Sequence, residues 1–409
     1  DGVPPAVGAA SAATPIKNTF DTEEPMAHYG DHQLQIYQAG LKGARPRLPM
    51  RMEDLEEAAH AVLSKESYWY VAGGAGEITM DANRTAFDKY RIHPRMLTDV
   101  SERDLSVTLF DRTLPSPLLL APIGVQSIIR PEAELAVAKA AAATNVPMIL
   151  STVSAHNMER VAETMGDAPR WFQLYWPRSP ELAASFVQRA EQAGYEAVVV
   201  TLDTKMMAWR ARDLQNAFLP FLNGQGLSNY TSDPWFRSTL ECPPEEDIRP
   251  SVKRWSEEFA APFKTWKDLA ALREATNLPI LVKGVLHPED ARLALEHGVD
   301  GIVVSNHGGR QVDGSIAAID ALPGVATMVN GRVPVLFDSG IRTGSDVLKA
   351  KALGADAVLL GRPYIWGLAL DGEDGVREVI KRVLADVDLT MALAGKARFA
   401  EVDGSLLVD

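Results

Sequence analysis

The most reactive group of side chains in this sequence lies in residues 305–311 (SNHGGRQ). This stretch follows the apolar run 301–304, which predicts a buried strand, so His307 and Arg310 come where a strand ends and a loop begins. An imidazole can act as a general base, and a guanidinium can bind a carboxylate through paired donors. The spacing indicates an enzyme that oxidises a small acid.

Short aliphatic runs recur from residue 115 onward, each followed by a loop and an amphipathic helix. They span residues 118–121, 147–151, 171–175, 197–202, 279–283, 301–305, 334–338 and 357–361. The runs lack polar alternation, as expected of parallel strands covered on both faces. Proline near the start and glycine past the end delimit several helices, for example Pro180 with Gly194 and Pro288 with Gly298.

This repeat predicts the α/β class and a (β/α)8 TIM barrel with an N-terminal helical segment and a long insertion after strand 4. A doubly wound open sheet is the alternative, but the glycine-rich dinucleotide motif is missing. Residues 49–100 are expected to form helices that close the bottom or side of the barrel. We expect a barrel domain over residues 48–409, preceded by a flexible arm over residues 1–47 that could dock on a neighbouring subunit.

The long insertion covers residues 204–264, between the fourth and fifth predicted strands. It exceeds the usual length of a βα connection and follows the C-terminal end of a strand, where barrel active sites lie. An active-site lid is therefore our prediction for this segment. A surface loop or a subunit contact is the alternative.

Composition excludes several classes of function. The chain has 409 residues and a formal net charge of -13, which argues against nucleic-acid binding. Its single cysteine leaves no partner for an intramolecular disulfide or a cysteine-rich metal site, so we expect no metal and a cytoplasmic protein. No apolar run reaches the roughly 18 residues of a membrane span, so no membrane partner is expected.

Polar residues at the C-terminal strand ends are expected of a catalytic barrel. The sequence places there Ser151, Gln173, Tyr175, Asp203, Lys283, His307, Asp338 and Arg362. Lys283 could form a Schiff base, bind phosphate or stabilise a developing anion, and the residues alone do not choose among these roles.

Partners for the histidine come from other parts of the chain. A lone histidine is more often structural than catalytic, but Asp203 could orient this imidazole. Arg210 and Arg310 could clamp a carboxylate, and Tyr70 and Tyr175 could donate hydrogen bonds to a substrate. Together these residues predict a site for a small carboxylic acid.

A phosphate site is predicted after the last two strands. Residues 338–342 (DSGIR) follow the seventh strand, and Gly361 and Arg362 follow the eighth. Glycines allow close backbone approach, and Arg342 and Arg362 could hold a phosphate at the position used by many barrels. The alternative is that both arginines pair with acidic neighbours.

Four motifs together resemble the FMN-dependent 2-hydroxy acid oxidases and dehydrogenases. They are residues 281–284 (LVKG), 305–311 (SNHGGRQ), 338–342 (DSGIR) and 361–363 (GRP), and the resemblance runs from about residue 48 to 393. Within this family, residues 121–124 (APIG), 209–214 (WRARDL) and 227–234 (LSNYTSDP) are similar to those of lactate 2-monooxygenases.

The resemblance implies FMN at the top of the barrel, a small 2-hydroxy acid and O2 as partners, and a homo-tetramer or octamer. It assigns His307 as the base and Asp203 as its partner. Arg210 and Arg310 would bind the substrate carboxylate, and Tyr70 and Tyr175 would donate hydrogen bonds to the oxygens of the substrate. Lys283 would contact the flavin N1 and C2 oxygen. The flavin ring and ribityl chain would contact Pro122, Gly124, Ser151, Gln173 and Ser305. The phosphate end would contact Asp338, Gly340, Arg342, Gly361 and Arg362.

Substrate identity and the fate of peroxide stay open at this point. Met207 matches a position that lines the substrate pocket, and a flexible methionine could accept a longer side chain than a methyl group. Lys205 could attract an acidic substrate tail, and a solvated lysine is the alternative that we favour. Oxidative decarboxylation of an L-2-hydroxy acid is the preferred prediction. The alternatives are a peroxide-releasing oxidase of a bulkier acid, a non-redox FMN isomerase and a barrel that has lost catalysis.

Overall fold

Eight parallel strands form a closed barrel in the computed structural model, which describes residues 28–408. They are β1 (Leu118–Leu120), β2 (Met148–Ser151), β3 (Arg170–Tyr175), β4 (Val198–Thr201), β5 (Ile280–Val285), β6 (Gly301–Val304), β7 (Val335–Phe337) and β8 (Ala357–Leu360). The strands follow one another in chain order, and β8 pairs with β1. The predicted TIM barrel is confirmed, and each predicted run overlaps one strand.

Helices cover the outside of the barrel between successive strands. They are Ala133–Thr144, Met158–Met165, Pro180–Gln192, Leu269–Ala275, Pro288–Glu296, Ala318–Val329, Gly344–Ala352 and Arg362–Leu393. A capping box starts one of them, because Thr343 accepts from the Asp346 N–H while the Asp346 carboxylate accepts from the Thr343 N–H. The last helix is interrupted at Asp371 and Gly372, where the backbone angles are not helical.

A hairpin closes the N-terminal end of the barrel. Its strands, Val107–Leu109 and Arg112–Leu114, are antiparallel, and Leu109 and Leu114 join the apolar cluster inside the barrel. The Phe110 ring at the turn lies 5.8 Å from the ring of Trp171, which stands near the start of β3. The hairpin therefore closes the bottom of the barrel, which is one of the two positions that we predicted for residues 49–100.

The N-terminal helices lie at the side of the barrel, one of the two predicted positions, and at its top, but not at its bottom. They span Met52–Val62, Lys65–Ala72 and Ile78–Thr85. Asn83 and Asn306, the latter following β6, exchange two side-chain amide hydrogen bonds of 2.7 Å, and Arg362 donates to the Val71 carbonyl at 2.9 Å. These buried polar groups satisfy each other only at the C-terminal ends of the strands, so the segment packs there rather than at the bottom.

The predicted flexible arm is partly wrong. Within it, His32–Leu41 is a helix, and the chain beside it is attached to the final long helix: Gly30 N–H donates to Asp388 at 2.7 Å, and His32 lies 3.3 Å from Glu378. Residues 1–27, to which the docking hypothesis also applies, lie outside the described residues. A short antiparallel pair, Arg91–Ile92 with Leu407–Val408, joins the C-terminal end of the described chain to the segment after the N-terminal helices.

The insertion after β4 is folded rather than a bare loop. It contains the helices Ala211–Gln215, Ser228–Thr231, Pro234–Ser238 and Arg249–Phe259. Tyr230 and Phe236 are fully buried within it, and Asp233 caps its third helix by accepting from the Phe236 N–H at 2.9 Å. No helix between residues 28 and 408 is long and apolar enough to cross a membrane.

Candidate active site

A cleft opens at the C-terminal ends of the strands and contains about 1190 Å³ of space, part of which is open to solvent. The predicted site residues that line it are Tyr70, Pro122, Gly124, Gln173, Tyr175, Met207, Arg210, Lys283, His307, Arg310, Asp338, Gly340, Arg342, Gly361 and Arg362. The other three lie behind this lining and bond to it. Ser151 donates to Gln173 at 3.1 Å, Ser305 accepts from Lys283 at 2.8 Å, and Asp203 bonds His307.

Asp203 orients the imidazole of His307. Its Oδ1 lies 2.8 Å from His307 Nδ1 and accepts a second hydrogen bond from the Thr204 hydroxyl at 2.9 Å. A carboxylate acceptor makes Nδ1 the protonated nitrogen and leaves the lone pair on Nε2. Nε2 lies 3.4 Å from the Tyr175 hydroxyl, in the cleft. His307 has a φ of 60°, a left-handed conformation that is uncommon outside glycine and is held by the surrounding contacts.

The protonation states suit a general base with hydroxyl donors beside it. Burial lowers the pKa of His307, and Asp203 opposes that effect. Burial works against ionisation of Asp203, but the charges of His307 and Lys283 still lower its pKa. Burial raises the pKa values of Tyr70 and Tyr175, so both phenols keep their protons. A neutral imidazole next to fixed donors can accept a proton from a bound substrate.

Two guanidinium groups face the cleft beside the histidine. Arg310 donates to the Gly73 carbonyl at 2.7 Å and lies 5.4 Å from the centre of the Tyr70 ring. Arg210 donates to Gln311 Oε1 at 2.9 Å, and within residues 28–408 neither arginine forms an ion pair. Burial and the neighbouring Arg210 lower the pKa of Arg310 to about 10, which shows the cost of a cation without a counter-ion. The pair therefore suits an anionic substrate.

The glycine-rich ends of β7 and β8 form a second anion site. Arg362 donates to the carbonyls of Val71, Gly73 and Gly308, and Arg342 donates to that of Ile341. Burial lowers the pKa of Arg342 to about 10 and that of Arg362 to about 9. The alternative that they pair with acidic neighbours is not observed in the described part of the chain, where the ion pairs involve other residues.

The backbone leaves room at this second anion site. Gly340 has a φ of 120°, and a Cβ there would collide with the Asn83 carbonyl oxygen. A Cβ on Gly361 would meet nothing closer than 4.0 Å, so its Cα faces open space in the cleft. Arg342 and Arg362, which have no carboxylate partner within residues 28–408, and the open space at Gly361 suit a phosphate monoester.

Lys283 forms an ion pair at the floor of the cleft. Its Nζ lies 2.9 Å from Asp338 Oδ2, and the two side chains are only 5% and 9% exposed. The same Nζ donates to the Ser305 hydroxyl at 2.8 Å, so two neighbours fix its position. The geometry favours the stabilisation of a developing anion.

Several residues in and behind the cleft lining escaped sequence reasoning. Gln311 belongs to the opening motif, yet its role is visible only in space: it accepts from Arg210 and donates to the Asp203 carbonyl at 2.8 Å. The apolar side chains Leu219, Phe221 and Phe259 also line the cleft. They come from the insertion, where no local pattern separates a cleft residue from a packing residue.

Comparison with known proteins identifies the family. The sequence profile of the FMN-dependent dehydrogenases matches residues 59–409. The chain belongs to the FMN-dependent dehydrogenase family. An L-lactate oxidase of Lysinibacillus sphaericus (strain C3-41) is 46% identical over 353 residues, covering 86% of this chain and 91% of the relative. A 4-hydroxymandelate oxidase of Amycolatopsis orientalis is 42% identical, covering 84% and 94%.

Solved structures agree with this family. A crystal structure of mandelate oxidase has a TM-score of 0.78 and 40% identity, and covers 88% of this chain and 98% of that one. FMN is therefore the cofactor, and this member of the FMN-dependent dehydrogenase family is an oxidoreductase of 2-hydroxy acids. The open phosphate site and the ring-sized cleft beside Lys283 fit that cofactor.

Proposed function

We propose that the chain oxidises a short L-2-hydroxy acid with O2 and decarboxylates the 2-oxo acid before releasing it. The observation that carries the oxidation is the position of His307 Nε2, a neutral base in the cleft beside Tyr175 and two unpaired arginines. The match to an oxidoreductase family favours this chemistry over a non-redox isomerase.

The proposed roles follow from the contacts. Arg210 and Arg310 bind the substrate carboxylate, and Tyr70 and Tyr175 donate hydrogen bonds to its oxygens. His307 then takes a proton from the bound hydroxy acid, and Asp203 stabilises the imidazolium that forms, as a carboxylate on Nδ1 does in other base dyads. Each role uses a group that is already oriented by another residue, so little reorganisation is required.

The proposed cofactor residues divide into three groups along the cleft. Arg342, Arg362, Gly340 and Gly361 hold the phosphate end, and Pro122, Gly124, Ser151, Gln173 and Ser305 hold the ring and ribityl chain. Asp338, expected at the phosphate end, pairs with Lys283 instead, and its carboxylate suits the ribityl hydroxyl groups as an acceptor. Lys283 stands where negative charge on the ring would be stabilised. FMN supplies the capacity to accept two electrons and to pass them to O2.

Retention of the 2-oxo acid is the function proposed for the insertion, the predicted lid. Leu219, Phe221 and Phe259 place apolar side chains on the cleft wall, and Arg210 is anchored through Gln311. A 2-oxo acid kept there meets peroxide in the same space. In the net reaction, the 2-hydroxy acid and O2 give a carboxylic acid that is shorter by one carbon, together with CO2 and water.

A peroxide-releasing oxidase is the second candidate, with a specific observation in its favour. Met207 lines the cleft but is 51% exposed, so it could move aside for a bulkier substrate. Relatives of this chain are called L-lactate oxidase and 4-hydroxymandelate oxidase. In this case the 2-oxo acid leaves first, and the products are the oxo acid and hydrogen peroxide.

Product analysis with L-lactate under air distinguishes oxidative decarboxylation from release of the 2-oxo acid and peroxide. Retention predicts acetate and CO2 even when catalase is present, because peroxide is consumed before it reaches the solution. Pyruvate and peroxide in equal amounts would refute retention while keeping the oxidation. Phe259→Ala should shift the products toward pyruvate, and Phe263→Ala, at a 53% exposed position outside the cleft, is the matched control.

The proposal also includes a cytoplasmic location, which we expect from the single cysteine, and a homo-tetramer or octamer, which the family resemblance implies. Gel filtration with light scattering would test the assembly, and a monomer at micromolar concentration would contradict it.

A further inference from the structure

A second cavity adjoins the active-site cleft at the ends of β3, β4 and β5. It is open to solvent on one side, contains about 880 Å³ of space including that opening, and shares Thr201 and Thr204 with the cleft. Its walls carry two tryptophans, Trp176 and Trp266, and the aliphatic side chain of Leu269. No role in the proposed reaction accounts for it. Flat apolar walls of this kind suit a ring or a short hydrocarbon chain.

A recessed lysine supplies this cavity with positive charge. The Lys264 side chain is only 10% exposed, and its Nζ lies 5.4 Å from the centre of the Trp176 ring. Its only ion pair within residues 28–408 is with Asp268 at 3.9 Å, which is too long for a hydrogen bond. The amine therefore keeps donor capacity that Asp268 does not use, and a ligand carboxylate could accept a hydrogen bond from it.

The remaining charges of the lining limit what can bind. Lys205, which we considered as a substrate contact, is exposed and adds a second cation; it lines this cavity and not the cleft. Asp290, from the helix after β5, and Asp203, at the end of β4, add two carboxylates. A ligand with a second negative charge near either carboxylate would be repelled. The lining therefore favours a single carboxylate joined to an apolar group.

We propose that this cavity is a binding site for a small monocarboxylate with an aromatic or aliphatic group, with its carboxylate on Lys264 and its apolar part against Trp176 and Trp266. The inference is independent of the reaction proposed for the cleft. Asp203 also lines this cavity, so an occupant would lie next to the residue that orients His307.

Phenylacetate is a suitable probe, and calorimetric titration of the FMN-loaded protein measures its binding. Because the cleft also accepts carboxylates, the titration is made on Arg310→Met, which removes one guanidinium from the cleft. Saturable binding should persist there without a change in the flavin absorbance spectrum. Phenylacetamide, which is neutral and has the same shape, should bind at least about tenfold more weakly, since a hydrogen bond to a charged group is lost.

Variants of the lysine complete the test. In the same background, Lys264→Met should weaken phenylacetate binding by about tenfold or more, and Lys264→Arg should restore most of it. Lys267→Met is the matched control, because Lys267 is exposed, lies three residues away and is outside the cavity lining. Absence of saturable binding in Arg310→Met, or equal affinities in Lys264→Met and Lys267→Met, would overturn the proposal. Neither result would bear on the oxidation, which is measured separately.

Discussion

Replacing Asp203 by asparagine tests the assignment of the base most directly. The side chains of Asp203 and His307 are 11% and 16% exposed, and 2.8 Å separates Oδ1 from Nδ1. A hydrogen bond to a charged group in such a place is worth about 1.5–3 kcal/mol. That interaction is strongest when the imidazole carries the proton taken from substrate. Since about 1.4 kcal/mol is a factor of ten in rate, substrate oxidation should slow by about 10- to 150-fold.

The same variant should change the pH profile in a defined direction. The wild-type rate should fall as pH drops through the lowered pKa of His307, because only the neutral imidazole accepts a proton. Asp203 opposes the effect of burial by raising that pKa. Without its charge the pKa falls further, so the acidic limb of the variant should move to lower pH even though its maximal rate is reduced.

Anaerobic stopped-flow mixing with L-lactate, followed by the flavin absorbance, measures the rate directly. Asp203 does not line the cleft, so FMN content should be unchanged. Asp167→Asn, at an exposed turn, is the control for a general effect of losing a carboxylate. An unchanged rate would refute the role of Asp203, and a slower rate with an unmoved acidic limb would show that it acts only through structure.

Three further predictions concern cofactor, substrate and stability. Arg362→Met should weaken FMN binding by at least about tenfold in fluorescence titration, whereas the exposed Arg332→Met should not, because only the former loses a charge-assisted contact to phosphate. Gln311→Leu should raise KM by about tenfold with a smaller change in kcat, since Arg210 loses its anchor; an unchanged KM would contradict this. Burial raises the pKa of Glu134 to about 7 from an ordinary 4.5, so its contribution to stability is present below the unfolded value and lost as pH rises through about 7. The free energy of unfolding of Glu134→Gln, measured relative to wild type in urea denaturation, should therefore rise by about 2–3 kcal/mol between about pH 5 and pH 8. The same difference between the two proteins at both pH values would contradict a raised pKa for Glu134.

The barrel and the main polar residues of the cleft could be predicted from local sequence. Aliphatic runs bounded by proline and glycine define strands and helix ends within a few residues of chain, and barrel geometry then brings the C-terminal strand ends together. Fifteen of the predicted residues line the cleft, and Ser151, Asp203 and Ser305 support them from behind. Their catalytic and binding roles remain predictions that the variants above would test.

The position of the N-terminal helices could not be predicted in the same way. Their amphipathic pattern shows that one face is buried, but not against which end of the barrel. The reciprocal amide pair of Asn83 and Asn306 decides it, across 223 residues of sequence. The hairpin that closes the other end depends similarly on the contact of Phe110 with Trp171.

The sequence by itself determined the fold class, the order of the strands and the chemical types gathered at their C-terminal ends, because hydrophobic periodicity and turn residues act over short stretches of chain. Only the tertiary structure decided which side chains support the reactive ones. Gln311 between Arg210 and Asp203, and the apolar wall supplied by the insertion, depend on packing between segments that are distant in sequence. The cavity around Lys264 has the same origin, because its lining comes from the ends of β3, β4 and β5 and from segments far from Lys264 in sequence.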